Sequence, residues 1–451
     1  MILRSNAAIA LILRKAGSMQ TPGQMNRREF VAAASASIAL PARSVAARAE
    51  AWPAIRALLD SYVADKTFAG VATAVAVEGG RPGFVVAGTL AYGAASRIDT
   101  DSLFRLYSVT KPMTGIAAML LIEDGTIALD QPVADILPEL RSLRVAIDPD
   151  RGLESRPAVR QMTIRHLLTH TSGLSNWQPV LGDPPITRAY RERGITPGSF
   201  IRQPGETWYT EQVGSLAAMI ARMAEVPLIA EPGTKWHYSM GLDVMGAVIE
   251  RVSVMSLDSF MRKRIFIPLG MQSTGFQVAP RDARRLTTLY ANGLRGPVPV
   301  DRGNDSVWLK PPRLVAGGGG LVSSARDLIR FGRMMVSAGE FGGRRVVDSK
   351  TIRLALSNLL PPGVSYPPTG GFGAGAGVVM PRVRSDNGSE GVLSVVGASN
   401  TFFSVDPLRQ RASLFLAQYM PGRSVPMAEA MWYRTAFLKA IDDDLQHRRS
   451  A

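Results

Sequence analysis

The stretch Phe104-Arg105-Leu106-Tyr107-Ser108-Val109-Thr110-Lys111-Pro112 leads into an apolar run, Met113 to Ile122, that has Gly125 as its stop. Proline has no N–H and is tolerated in a helix only where that donor would be unpaired anyway. Pro112 therefore predicts a helix that begins close to Ser108, which then lies near the positive end of the helix dipole. Three residues make just under one turn, so Lys111 shares the face of Ser108 and its amine can reach the hydroxyl. A serine at a helix N-terminus beside an amine has what an acyl-transfer nucleophile needs: a group to take its proton and N–H donors for an oxyanion. Alone, Ser-x-x-Lys is a weak signal that equally describes a capping serine with a surface lysine. It occurs once in this chain.

Working outward, Ile55, Leu58, Leu59, Tyr62 and Val63 recur at helical spacing, and Gly70 to Val77 reads as a strand. Gly79-Gly80 supplies a turn and Phe84 to Ala87 the return strand of a hairpin. From Ser108 to about Arg295 the signals are mainly helical, broken by loops such as Asp183-Pro184-Pro185. Beyond Gly317-Gly318-Gly319-Gly320, read as a turn needing positive φ, Ser324-Ala325-Arg326-Asp327 opens a capped helix. Gly377 to Met380, Val392 to Val396, Thr401 to Val405 and Ala412 to Gln418 read as strands. The pattern predicts one domain over about 50–445, an α/β lobe (50–107 and 315–445) split by an inserted, mainly helical lobe (108–314).

A chain of 451 residues, 46% hydrophobic and 20% charged, is long and apolar enough to bury a sizeable core, which excludes wholesale disorder. With no Cys, disulfides, thiolate metal sites and cysteine nucleophiles are excluded together. The formal charge is +15, but residues 1–49 carry seven basic side chains and one acid, Glu29. The only basic triplet, Arg262-Lys263-Arg264, is not interleaved with aromatics, so no nucleic-acid partner is expected. No uncharged apolar run approaches the roughly 18 residues of a spanning helix, so stable membrane insertion is not expected either. Asn26-Arg27-Arg28-Glu29-Phe30, the mild apolar stretch Val31 to Leu40 and Ala47-Arg48-Ala49 resemble a twin-arginine export signal starting at Met25. A periplasmic or secreted protein is the expectation.

Two further words follow in order: Leu167-Leu168-Thr169-His170-Thr171-Ser172-Gly173-Leu174 and Pro232-Gly233-Thr234-Lys235-Trp236-His237-Tyr238-Ser239. With Phe104 to Lys111 they resemble the serine β-lactamase and penicillin-binding-protein superfamily, most closely its class C-like branch and the family VIII carboxylesterases. The resemblance runs from about Phe68 to Met420. It implies a β-lactamase-like α/β fold, an antiparallel sheet flanked by helices plus a helical lobe, with the site between the lobes. It also implies Ser108 as nucleophile, Lys111 as its partner and Tyr238 as the other general-base component. The N–H groups of Ser108 and Ala398 would form the oxyanion hole, and no metal or organic cofactor is implied. A free phenol titrates near 10 and is a poor base at neutral pH unless an ammonium beside it favours phenolate; Lys111 could supply that charge, with Lys235 adding to it. Alternatively a desolvated Lys111 is itself the base, and the sequence leaves both open.

Two departures from the family pattern bear on substrate. Met240 stands where β-lactamases normally carry the Asn that binds an acylamino side chain, and Val395-Val396-Gly397 aligns with the usual Lys-Thr-Gly. Valines offer neither cation nor hydroxyl to a carboxylate, so a pocket lined by Tyr107, Met240, Val395, Val396 and Gly397 suits a small neutral ester better than an anionic antibiotic. The expected activity is carboxylester hydrolysis through an acyl-enzyme. The rivals are β-lactamase, D-alanyl carboxypeptidase or transacylase activity on the same fold, and a non-catalytic cell-wall binding protein. His166 and His170 stand four apart but lack the Glu of His-Glu-x-x-His and a third ligand, so both are read as structural, with His170 ordering the loop beneath the site. Met219 and Met223 are read as core, and the absence of Gly-x-Ser-x-Gly argues against an α/β-hydrolase.

Overall fold

A computed structural model describes residues 52–178, 183–196, 211–293, 295–367, 370–379, 391–421 and 432–450. The export segment expected over 1–49, and Met380, lie outside the described residues. Strand β1 (Gly70–Val77) shows how the sheet is covered on both sides. Its alternation sends Val71 and Val75 to one face and Ala72, Ala74 and Ala76 to the other. With β2 (Gly83–Gly88), β3 (Gly370–Phe372), β4 (Gly377–Val379), β5 (Leu393–Gly397), β6 (Thr401–Asp406) and β7 (Arg411–Leu416) it forms a seven-stranded sheet in the order β3-β4-β5-β6-β7-β1-β2. Every pairing in it is antiparallel.

The valine face packs on α1 (Pro53–Ala64) and on the C-terminal helix, here α5 (Trp432–Ser450). Ile55, Leu59 and Tyr62 meet Phe415, Tyr433 and Phe437 in one apolar cluster. Trp52 at the start of α1 offers no side-chain cap, and Asp444 of α5 supplies one, accepting from the N–H groups of Ala54 (2.7 Å) and Ile55 (3.1 Å). The alanine face, with no bulk beyond Cβ, shares a second and larger cluster with α4 (Ala325–Val336) through Leu328, Ile329 and Phe331. Ser324 caps α4 by accepting from Asp327 N–H, as its sequence predicts.

The helix predicted to start near Ser108 is present as a tight turn, Tyr107–Thr110, running into α2 (Lys111–Glu123). Residues Lys111 to Leu121 are all buried, so α2 is covered on every side. It packs with α3 (Gly241–Ser253) and with shorter helices at Leu257–Met261 and Ser349–Ala355, while Ile164–Leu168 packs on α3. The helical expectation for 108–295 holds in the main, but a hairpin, Leu289–Gly293 with Gly296–Asp301, stands at its end. Leu103–Arg105 also pairs with Val322–Ser324, and three residues are too few to display a two-residue period.

Arg105, fully buried, is held by the carboxylate of Asp301, Ser306 Oγ, Thr287 O and Gln418 Oε1. Removing one partner of such a pair strands a charge away from water. Asp301→Asn is expected to lower unfolding free energy by about 3–5 kcal/mol, read from urea unfolding. The opposite effect is expected at Val254, a β-branched residue 90% exposed that ends α3 with φ +54. There Val254→Gly relieves left-handed strain and loses almost no burial, and should stabilise by about 1 kcal/mol in the same measurement.

Candidate active site

Tyr107 reaches the turn before α2 with φ +47, a conformation that a non-glycine residue adopts under strain, and this delivers Ser108 half-buried at the head of the helix. One turn on, Lys111 is 5% exposed. Its Nζ lies 3.1 Å from Ser108 Oγ, 2.6 Å from the hydroxyl of Tyr238 and 2.6 Å from Gly318 O. Ser108 Oγ and the Tyr238 hydroxyl are 2.6 Å apart, which closes a triangle of three groups separated by up to 130 positions in sequence. Lys111 Nζ also sits 4.7 Å from the centre of the Tyr238 ring.

Tyr238 arrives on an extended segment that His170 holds on both sides. The carbonyl of His170 accepts from His237 N–H (2.9 Å), and its Nδ1 accepts from Ser239 N–H (3.2 Å). Nδ1 as acceptor leaves the ring proton on Nε2. Burial, with Lys111 adding to it, holds this imidazole well below its ordinary value, so a neutral ring packs 4.9 Å from the Tyr238 ring. His166 instead accepts from Thr163 N–H as part of a capping box, so both histidines have structural partners. Lys235 is exposed and its charge acts on His237, whose imidazole burial already lowers to about 4.

The run Gly317–Gly320 lies against α2 and α3. Thr114 Oγ1 donates to Gly317 O (2.7 Å), Gly318 N–H donates to Asp243 Oδ1 (2.9 Å), and Thr110 Oγ1 accepts from Leu321 N–H (3.2 Å). None of these glycines has positive φ, which corrects the sequence expectation. Close approach is the reason instead: a Cβ would come within 2.3 Å of Leu242 O at Gly317 and 2.6 Å of Asp243 Oδ2 at Gly318.

Strand β5 passes on the other side of Ser108. A Cβ on Gly397 would lie 2.4 Å from Leu106 O and 3.4 Å from Ser108 N, so β5 passes close beside the backbone of the serine. Ala398, exposed, follows at the strand end. Ser399 Oγ donates to Arg105 O (3.1 Å) and Thr401 Oγ1 to Leu106 O (3.0 Å), tying this corner to the backbone just before Ser108. Gln418 completes the tie, accepting from Arg105 N–H and donating to Arg105 O and Ser399 Oγ.

The expected pocket is reduced. Val395 is half-buried on the face of the larger apolar cluster, but strand alternation turns Val396 to the opposite face, against the cluster under α1 and α5. Met240 is 1% exposed in the core at the start of α3 and has no surface to offer a substrate. Tyr107 packs its ring on Trp308 and buries its hydroxyl without a hydrogen-bond partner among the described residues. Met219 and Met223 are core. Asp243, Thr110, Thr114, Ser399, Thr401 and Gln418 were not foreseen. For Asp243 a signal existed, since an acid inside Leu242-Asp243-Val244-Met245 is a charge on an otherwise apolar helix face.

Comparison with known proteins agrees with this geometry. Residues 55–434 match the family model described as Beta-lactamase. An uncharacterised protein of Mycobacterium tuberculosis is 33% identical over 352 residues, covering 73% of this chain and 81% of that protein. Esterase EstB of Burkholderia gladioli is 34% identical over 310 residues, covering 65% of this chain and 71% of its own. Among solved structures, EstCE1, described as a hydrolase with promiscuous acyltransferase activity, superposes with a TM-score of 0.69 at 22% identity, covering 88% of this chain and 99% of its own. With its antiparallel sheet, its flanking helices and Ser108, Lys111 and Tyr238 in mutual contact, the chain belongs to the beta-lactamase family and is a serine hydrolase built on that fold.

Proposed function

We propose that this hydrolase cleaves small neutral carboxylic esters through an acyl-enzyme on Ser108. The observation that carries the reading is the closed triangle of Ser108 Oγ, Lys111 Nζ and the Tyr238 hydroxyl, with sides of 2.6, 3.1 and 2.6 Å. Lys111 faces three oxygens within donor distance, and an ammonium has three protons to give; Gly318 O can only accept. Lys111 is therefore read as the cation and Tyr238 as the group that exchanges the proton.

With Tyr238 entering the cycle as the phenolate beside the Lys111 cation, Ser108 Oγ attacks the ester carbonyl carbon as its proton passes to the Tyr238 oxygen. The oxyanion that forms lies against the N–H groups of Ser108 and Ala398. When the C–O bond to the alcohol breaks, Tyr238 returns the proton to the departing alkoxide. Water then gives a proton to Tyr238 and attacks the acyl carbon. Ser108 leaves, regains its proton, and the acid is released. The substrate reading rests on Val395, which gives a carboxylate neither a cation nor a hydroxyl, so a neutral ester loses less than an anion on entering. The names of relatives such as esterase EstB support it.

Ser108→Ala is expected to abolish both covalent labelling by a fluorophosphonate and hydrolysis of p-nitrophenyl butyrate, while a folded but unlabelled wild type would overturn the reading. Tyr238→Phe, which keeps the ring and removes the hydroxyl, should lower kcat by about 10²- to 10⁴-fold with KM little changed, in steady-state assays on the same ester. Nitrocefin and D-alanyl dipeptides in parallel test the substrate class. Turnover of either at the rate of the ester would count against neutral-ester selectivity.

A further inference from the structure

Asp243 stands in the first turn of α3, and its neighbours Leu242, Val244 and Met245 are all buried, as it is itself. Its Oδ1 accepts from Gly318 N–H at 2.9 Å, and the carbonyl of that same residue accepts from Lys111 Nζ at 2.6 Å. The carboxylate thus meets the lysine through a single glycine, against which its Oδ2 rests so closely that a Cβ at 318 would stand 2.6 Å away. An acid placed here is expensive to bury unless something nearby makes use of its charge.

We propose that Asp243 is a positioning residue of the reaction, fixing Gly318 as an acceptor for Lys111 and supplying the buried counter-charge that keeps the ammonium aimed at Tyr238. This rests on the Ser108 acyl-enzyme reading and adds to it a residue that touches neither substrate nor reacting atoms.

The surroundings leave Lys111 as the charge that acts on Asp243. Of the other charged or titratable groups on elements packed against α3, Arg165 bonds Asp130, and His166 caps its own helix. Arg222 donates to Arg193 O, and Glu123 accepts from Asp348 N–H. Asp258 lies toward Gly275. On α3 itself Glu250 accepts from Leu257 N–H and Arg251 pairs with Glu139. His170 is neutral, as described above. Burial raises the Asp243 carboxyl to about 6, while Lys111 and the Gly318 N–H oppose the rise. The group is therefore charged at neutral pH and loses its charge as pH falls through about 6, so the support it gives Lys111 is lost on the acid side.

Asp243→Asn keeps the shape and an acceptor oxygen but not the charge; Asp243→Leu keeps neither. The test measures the rate of Ser108 labelling by a fluorophosphonate, with kcat and KM on p-nitrophenyl butyrate, between about pH 5 and 9 for wild type and both variants. Wild type should lose kcat as pH falls through about 6. The Asn variant should show no such acid limb, and at neutral pH its kcat should be down by about ten-fold or more with KM within about two-fold, the Leu variant falling further. An Asn variant that overlays wild type in profile and kcat overturns the inference and leaves the Ser108 reading standing. Wild type that never labels overturns both. If neither variant folds, wild type decides: constant kcat between about pH 5 and 7, with circular dichroism unchanged, overturns the inference.

Discussion

A buried lysine nitrogen needs hydrogen-bond partners, and the architecture around Ser108 gives Lys111 Nζ three oxygens. Left without them, such a buried polar group would cost about 1–3 kcal/mol or more. That requirement accounts for much of what lies nearby. The glycine run is stripped of side chains so that its backbone reaches the lysine, and Thr114 and Asp243 hold that run in place. His170 brackets Tyr238 from both sides, so the third partner cannot drift.

On the opposite side the sheet is tied to the serine through backbone carbonyls. Ser399, Thr401 and Gln418 all bond Arg105 or Leu106, and Arg105 is in turn locked by Asp301 and Thr287. The four residues from 105 to 108 are thereby held from the sheet on one side and, through Arg105, from Thr287 and the hairpin that ends at Asp301 on the other. The left-handed backbone of Tyr107 survives because both clamps over-determine it.

The parts that were legible in the sequence are those where one residue type admits few alternatives. Pro112 fixes the helix start, Gly397 fixes the close pass of β5, and the short, mainly apolar runs at 70–77 and 401–405 fix strands. The convergence of Ser108, Lys111 and Tyr238 was expected through resemblance, since spacing alone says nothing of a contact 130 positions distant. What was misread depends on direction. Val396 is one residue from Val395 and faces the other way, while Tyr107 and Met240 neighbour reacting groups yet turn into the core. The glycine run was read as a turn because local sequence reports φ preference and not the carbonyl or carboxylate that a side chain would strike. Hydroxyl-to-carbonyl ties such as Thr401 to Leu106 leave no periodic trace at all.

The cap on α1 comes from Asp444, 390 residues after Ala54, and β1 pairs with β7 as well as with its hairpin partner. The first and last described elements of the domain thus complete one another. During synthesis the opening helix and hairpin emerge with no lasting partner for their apolar face. The sheet closes only when residues near 411–444 have cleared the ribosome. A chain interrupted before residue 411 would lack both β7 and α5, and so would leave β1 and the apolar face of α1 without these partners.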